Sequence, residues 1–311
     1  MIHTPLGQTE LVVSRLALGC EPLGGTDWGQ VDVVEATGAV QCALELGVNL
    51  FDTAGVYGLG LSEERLSAAL GSRRHDVVIV TKFGLSWEAA EPGKRARIWR
   101  DCSPRAAVEA VESSLRRLRL DRLPVMLVHW PDPSTPIERT LDTLRELQAR
   151  GRIGHFGLSN FDGASIRAAT GIAVVENEYS LLERRAERDA LAAAEATGAA
   201  FLAYGVLAQG LLTGKYGLDA RFDASDRRHR LARFSREALQ SIVPRLARLR
   251  EIARRHGVSP GSIACRWVLD RRSVTAAIVG AKSAAQITDL ALGLDFELTD
   301  EERAWLESEV A

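Results

Sequence analysis

The sequence predicts an α/β protein, a single (β/α)8 barrel of the TIM type, and three observations carry that expectation. Eight short β-branched or apolar runs punctuate the 311 residues. The longer stretches between them have helical spacing, and no Pro/Gly/Ser-rich linker or composition break divides the chain, so residues 1–311 read as one domain. Strands alternating with helices imply right-handed crossovers and a parallel sheet, with a doubly wound open sheet as the alternative.

In order, the runs are RLALGC (15–20), NLFDTA (49–54), VVIVTKF (77–83), VMLVHW (125–130), HFGLSN (155–160), AVVENEY (173–179), AFLAYGV (200–206) and TAAIVGA (275–281). Between the fourth and fifth, Ile137, Leu141, Leu144 and Leu147 fall three or four apart, and Gly151 supplies a stop, which predicts an amphipathic helix. Two connections are long: residues 84–103 after the third run and about 211–235 after the seventh. Loops of that length are usually functional lids or disordered segments, and both leave the carboxyl end of a strand, where barrels build active sites.

Composition narrows the function classes. With 46% hydrophobic and 26% charged residues and a formal charge of -2, a core is affordable and neither sign dominates, so a nucleic-acid or membrane surface is not indicated. Cys20, Cys42, Cys102 and Cys265 are scattered and suggest neither a zinc site nor a disulfide framework; a reducing cytoplasm is the expected compartment. No apolar run is long enough for a membrane span, and the amino terminus lacks the pattern of a signal peptide. Oligomeric state is not legible.

The polar residues of the runs share a location. Asp52 ends the second, Lys82 the third, His129 the fourth, and Ser159 and Asn160 the fifth. Singly, each has an ordinary explanation as a cap, a solvated strand end or a core histidine; on one rim of one barrel they point to a site. The chemistry that fits is proton donation by Tyr57. A phenol is a weak acid at neutral pH, and a neighbouring Lys82 ammonium is expected to lower its pKa, with Asp52 keeping that ammonium charged and His129 donating a hydrogen bond to the same substrate oxygen.

The segments FDTAGVYG, TKFG, LVHW, FGLSNF, EYSLLERRAE, AQGLLTGKY and IVGAKSAAQ, in that order and spanning about residues 10 to 300, resemble the aldo-keto reductase superfamily. The resemblance implies an NADPH-dependent carbonyl reductase with a tetrad at Asp52, Tyr57, Lys82 and His129, NADH being the less expected cofactor. It implies that Ser159, Asn160 and Glu176 hold the nicotinamide carboxamide and that Tyr204 stacks on the ring. Leu207, Gln209 and Lys215 would fold over the pyrophosphate. Gly280, Lys282, Ser283, Gln286 and Asp289 would take the adenosine end, Lys282 meeting a 2′-phosphate. No G-x-G-x-x-G follows a strand, which removes the main support for a Rossmann reading.

Three positions depart from the family pattern. Glu176 replaces a glutamine, and a carboxylate accepts from a carboxamide but cannot donate while ionised. Gly205-Val206 replaces Ser-Pro, and Leu290 replaces an asparagine. For the small-molecule carbonyl substrate, Trp28, Trp87 and Trp130 are expected to wall a pocket, with Arg95, Arg97 and Arg100 available to an anionic group. Two other functions suit the same resemblance: reduction of an activated C=C bond, against which His129 counts because a glutamate is common there, and a nucleotide-sensing subunit of the potassium-channel β type.

Overall fold

The computed structural model describes residues 1–88 and 96–308. Within them eight parallel strands close into a barrel: β1 (Leu16–Gly19), β2 (Leu50–Asp52), β3 (Val78–Phe83), β4 (Leu123–Val128), β5 (Ile153–Ser159), β6 (Val174–Glu178), β7 (Ala200–Tyr204) and β8 (Ala276–Gly280). All eight fall within the predicted runs or overlap them. The ring closes where β8 pairs with β1, Ala277 opposite Leu16 and Gly280 opposite Gly19.

Side chains alternate across each strand, and the alternation divides the core in two. Ala17, Leu50, Val78, Val80, Val125, Leu127, Val174, Ala200, Leu202, Ala276 and Ile278 fill the barrel interior. Their neighbours of opposite parity, such as Phe51, Ile79, Met126, Leu158, Val175 and Phe201, pack outward against the helices. Those helices are α1 (Val33–Glu45), α2 (Leu61–Leu70), α3 (Pro104–Leu118), α4 (Ile137–Ala149), α5 (Gly163–Ala168), α6 (Ala190–Thr197), α7 (Arg236–His256), α8 (Pro260–Leu269), α9 (Ala284–Leu292) and α10 (Asp300–Glu307). In α4 the predicted Leu141, Leu144 and Leu147 are buried together with Thr140, while Ile137, at the start of the helix, is half-buried.

Two antiparallel hairpins decorate the barrel. His3–Pro5 pairs with Val12–Ser14, and Leu6 and Val13 of this hairpin join the interior cluster and plug the amino-terminal end. Leu85–Trp87 pairs with Ile98–Arg100 in the long connection after β3. The connection after β7 holds only short 3-10 turns, at Ala208–Thr213, Arg227–Arg230 and Ala232–Phe234.

Gly157 has no room for a side chain. A Cβ there would stand 1.9 Å from the Val174 carbonyl oxygen and 2.9 Å from Leu127 Cδ2. Gly157→Ala must therefore push β5 away from β6, and it is expected to lower stability by about 3 kcal/mol or more, read by urea denaturation. A loss within a few tenths of a kcal/mol would mean that the β5–β6 seam yields freely.

Candidate active site

The alternation that fills the barrel also builds the site. Two residues beyond the last interior side chains, on the same parity, come Asp52 after Leu50, Lys82 after Val80, His129 after Leu127, Glu176 after Val174, Tyr204 after Leu202 and Gly280 after Ile278. Ser159 follows Gly157 in the same way. Strand register alone thus gathers these side chains at the carboxyl-terminal mouth.

Lys82 lies at the centre and is 2% exposed. Its ammonium donates to an Asp52 carboxylate oxygen and to the Thr53 carbonyl at 3.1 Å, and Glu176 Oε1 is 3.3 Å away. Burial alone would strip its proton, but Asp52 and Glu176 oppose this, and the net shift of the Lys82 pKa is upward. Burial raises the pKa of Asp52, and Lys82 works against that rise. Glu176 is pushed well above the usual carboxylate range by burial, and then by Asp52.

Tyr57 enters from the turn after β2, with its ring edge-on to His129 at 5.8 Å and 83° and the Lys82 ammonium 5.5 Å from its centre. Here the structure corrects the expectation of a lowered phenol pKa. Burial holds Tyr57 well above its ordinary value, and the negative charges of Asp52 and Glu21 add to the rise. Lys82 is close, but its charge is spent on two carboxyl groups. Tyr57 is accordingly a fully protonated phenol, the state a proton donor needs. Burial, then the Lys82 charge, pushes the His129 pKa well down, so the imidazole is neutral and donates from one nitrogen only.

Asn160 ties the strand ends together. Its amide donates to the His129 carbonyl at 2.9 Å and to Ser159 Oγ at 3.0 Å, and its carbonyl accepts from the Tyr204 hydroxyl at 2.6 Å. Asn177 accepts from the Asn160 backbone N–H at 2.8 Å. Both ends of the Asn160 side-chain amide are thereby engaged, and the Ser159 hydroxyl keeps its own hydrogen to give.

A cleft of about 1290 Å³ opens above this cluster. Its walls include Asp52, Tyr57, His129, Ser159, Asn160, Glu176, Tyr204, Leu207, Gln209, Lys215, Gly280, Lys282, Gln286 and Asp289, together with Trp28, Trp130 and Leu290. Two expected residues stand apart. Ser283 precedes α9 without lining the cleft, and the Trp87 ring packs toward Gly55, 3.4 Å from where a Cβ would stand. Arg97 and Arg100 lie over Trp99 and Trp130 outside the cleft wall, which is formed there by Ala96 and Ile98, and Arg95 lies outside the described residues. Gly205, which stands where the family pattern has serine, takes φ 67°, a left-handed conformation that favours glycine, and the Glu178 side chain fills the space beside it.

The residues that sequence reasoning missed come from loops far apart in the chain. Arg227 donates to Glu21 across 206 positions, with Nη1 3.3 Å from Glu21 Oε2, and its guanidinium lies 5.2 Å over the Trp28 ring. Arg230 pairs with Asp27 at 2.8 Å, and Trp28 forms a β-bridge with Asp226. Arg233 joins Glu178 at 2.9 Å to Gln209 at 2.8 Å. Neither member of such a pair has a local motif to announce it. Backbone strain marks the same region: of the six non-glycine residues with positive φ among those described, Asp27 (62°), Leu59 (56°), Asn160 (66°) and Gln209 (54°) all line the cleft.

The cleft has the chemistry to hold a nicotinamide dinucleotide. At the barrel mouth His129 Nδ1 and Glu176 Oε2 are buried without a partner, groups suited to a polar ring substituent. At the far end Lys282 is half-buried near Arg228 and Lys215; burial first, then Arg228, pulls its pKa down, while Asp226, already paired with Arg228 at 2.9 Å, works against that fall.

The aldo/keto reductase family profile matches residues 15–309. Aldo-keto reductase YhdN of Bacillus subtilis is 33% identical over 309 residues, covering 97% of this chain and 92% of that protein. The NADH-specific methylglyoxal reductase of Escherichia coli is 30% identical over 314 residues, covering 96% and 95%. Among solved structures, a glycerol dehydrogenase from Gluconobacter oxydans superposes with a TM-score of 0.90 at 34% identity, covering 98% of this chain and 94% of that one. With the eight-stranded barrel, the polar mouth and a match that runs almost end to end, the chain belongs to the aldo/keto reductase family.

Proposed function

We propose that this protein reduces the carbonyl of an aldehyde, ketone or keto-sugar to an alcohol, with NADPH as the hydride source and Tyr57 as the proton donor. The observation that carries the reading is a protonated, half-buried Tyr57 edge-on to a neutral His129 on the wall of a long polar cleft. The reduced nicotinamide, when bound, supplies hydride to the carbonyl carbon. As negative charge grows on the carbonyl oxygen, Tyr57 gives up its O–H proton to it, an alkoxide being a stronger base than a phenolate. His129 has an N–H for the same oxygen, and Lys82 faces the phenolate left behind until solvent reprotonates it.

Within those substrate classes, the cleft favours a carbonyl that carries hydroxyl groups. The Glu21–Arg227 and Asp27–Arg230 pairs beside Trp28 give one wall alternating acceptors and donors next to a flat ring, while Leu85, Ile98 and Trp130 make the other wall apolar. The preference for NADPH rests on the cluster of Lys282, Arg228 and Lys215, although Lys282 Nζ here donates to the Trp28 carbonyl at 2.6 Å.

Two measurements test the reading: titration with NADPH and NADH by fluorescence, and loss of nicotinamide absorbance against aldehydes, ketones and keto-sugars. Turnover of a hydroxylated carbonyl is expected. Lys282→Ala should weaken NADPH by about tenfold and leave NADH nearly unchanged. Equal loss for both would remove the 2′-phosphate role. Tight binding without turnover would move the assignment to a nucleotide-sensing subunit.

A further inference from the structure

Glu176 Oε1 approaches Lys82 at 3.3 Å, but its other oxygen, Oε2, is buried and has no hydrogen-bond partner, in a residue that lines the cleft. An ionised carboxylate spreads its charge over both oxygens, so an ionised Glu176 would leave half a buried charge without a donor. The charges around it do not allow that. Asp52 holds the closest contact to Lys82, and a single ammonium faces two carboxyl groups. The remaining titratable groups near the cluster are Tyr57, Tyr204, His129 and Cys20; burial keeps the phenols and the thiol protonated and the imidazole neutral, and none supplies a second positive charge. Charge balance requires one proton on the pair. Asp52 has the ammonium at hydrogen-bond distance, and Glu176 has an oxygen with nothing to accept from, so the proton belongs on Glu176.

We infer that Glu176 is a neutral carboxylic acid in the folded protein, hydrogen-bonded to Asp52 when no cofactor is bound, and that with the nicotinamide in place its Oε2 hydroxyl is a hydrogen-bond donor for the carboxamide oxygen. This rests on the nicotinamide reading above. It reverses the expectation that the acid at this position can only accept. Glu176 is then a positioning residue: it orients the cofactor ring without exchanging a proton with substrate. Asp52 remains the single carboxylate that neutralises Lys82.

A proton required for binding makes affinity depend on pH with a fixed sign. Free Glu176 loses the proton as pH rises, whereas the complex retains it, so the dissociation constant must increase on the alkaline side, by about tenfold per pH unit once the free protein ionises. NADH is the probe for this slope, because it lacks the titrating 2′-phosphate. Wild type and Glu176→Gln are titrated with NADH by fluorescence between about pH 6 and pH 9, the span in which a buried glutamic acid ionises. Wild-type affinity should weaken across the range, and that of Glu176→Gln, whose amide donates at every pH, should stay flat. An infrared spectrum of the cofactor-free proteins gives the second readout: a protonated-carboxyl carbonyl band in wild type that Glu176→Gln loses.

A wild-type affinity that does not change with pH, or a slope unchanged in Glu176→Gln, overturns the donor role even if the band is present. Absence of the band overturns the protonation itself. Failure of NADH and NADPH to bind wild type at any pH would defeat the nicotinamide reading instead, while the infrared band would still decide whether Glu176 carries the proton.

Discussion

Tyr57→Phe is expected to lower kcat for carbonyl reduction by about 10² to 10⁴-fold, the range assigned to a positioned general acid, while the dissociation constant of NADPH changes little. The substitution removes one oxygen and leaves the ring. The edge-on contact with His129 and the packing beside Lys82 are contacts of that ring, so the variant should keep its fold and its cleft. What is lost is the phenol hydrogen that the geometry places beside a neutral histidine. Single-turnover measurement of nicotinamide oxidation separates the chemical step from release of products. Retention of most of the wild-type rate in that step would show that the proton comes from elsewhere, His129 being the next group in the cleft.

Lys82→Met is expected to affect stability more than any other substitution in the site. Methionine matches the lysine stem but carries no charge, which leaves Asp52 and Glu176 facing each other in a space where the ammonium they lose was itself 2% exposed. Removing one partner of such a cluster costs about 3–5 kcal/mol. The pH dependence follows from the carboxyl groups. Asp52 and Glu176 already titrate above their ordinary range through burial, and losing Lys82, which opposes that rise, raises both further. Groups whose folded-state pKa is raised contribute stability that is complete below the unfolded pKa and is lost as pH rises through the folded one. The gap between wild type and Lys82→Met should therefore be narrow near about pH 4 and wide at pH 7 and above, in urea denaturation at both values. A second change, Asp52→Asn, should recover part of the loss in the methionine background. A gap independent of pH would mean that packing, and not the buried charge, sets the cost.

The parts legible in the sequence are those written locally. β3 reads as a strand because six consecutive residues from Val78 to Phe83 are buried on both faces, so the run is continuously apolar until Thr81 and Lys82. The same continuity made Lys82 conspicuous, and similar breaks exposed Asp52 and His129. The hairpin of Leu85–Trp87 with Ile98–Arg100 was illegible because its strands are three residues each, half to fully exposed, and carry no alternating pattern. Glu21 and Arg227 were illegible for another reason: each is an ordinary loop charge until the fold closes the distance between them. The side chain of Glu176 was read correctly as an acid at the mouth, but its protonation depends on how many cations surround it, a property of the assembled barrel.

The placement of the reactive groups by strand parity bears on which changes this chain can absorb. A point substitution at Leu50, Val80 or Leu127 alters the floor beneath the site and leaves Asp52, Lys82 and His129 aimed at the mouth. Deleting a single residue within β3 does something different: the strand can keep every ladder hydrogen bond, yet Lys82 would turn into the helical layer and a neighbour would replace it over the cleft. Insertions and deletions are thus confined to the connections, where the chain is free to vary in length, while the strands can drift in composition only. A library that varies loop lengths after β1, β3 and β7 should yield altered specificities on an intact proton-transfer centre, and one that varies strand lengths should yield almost nothing active.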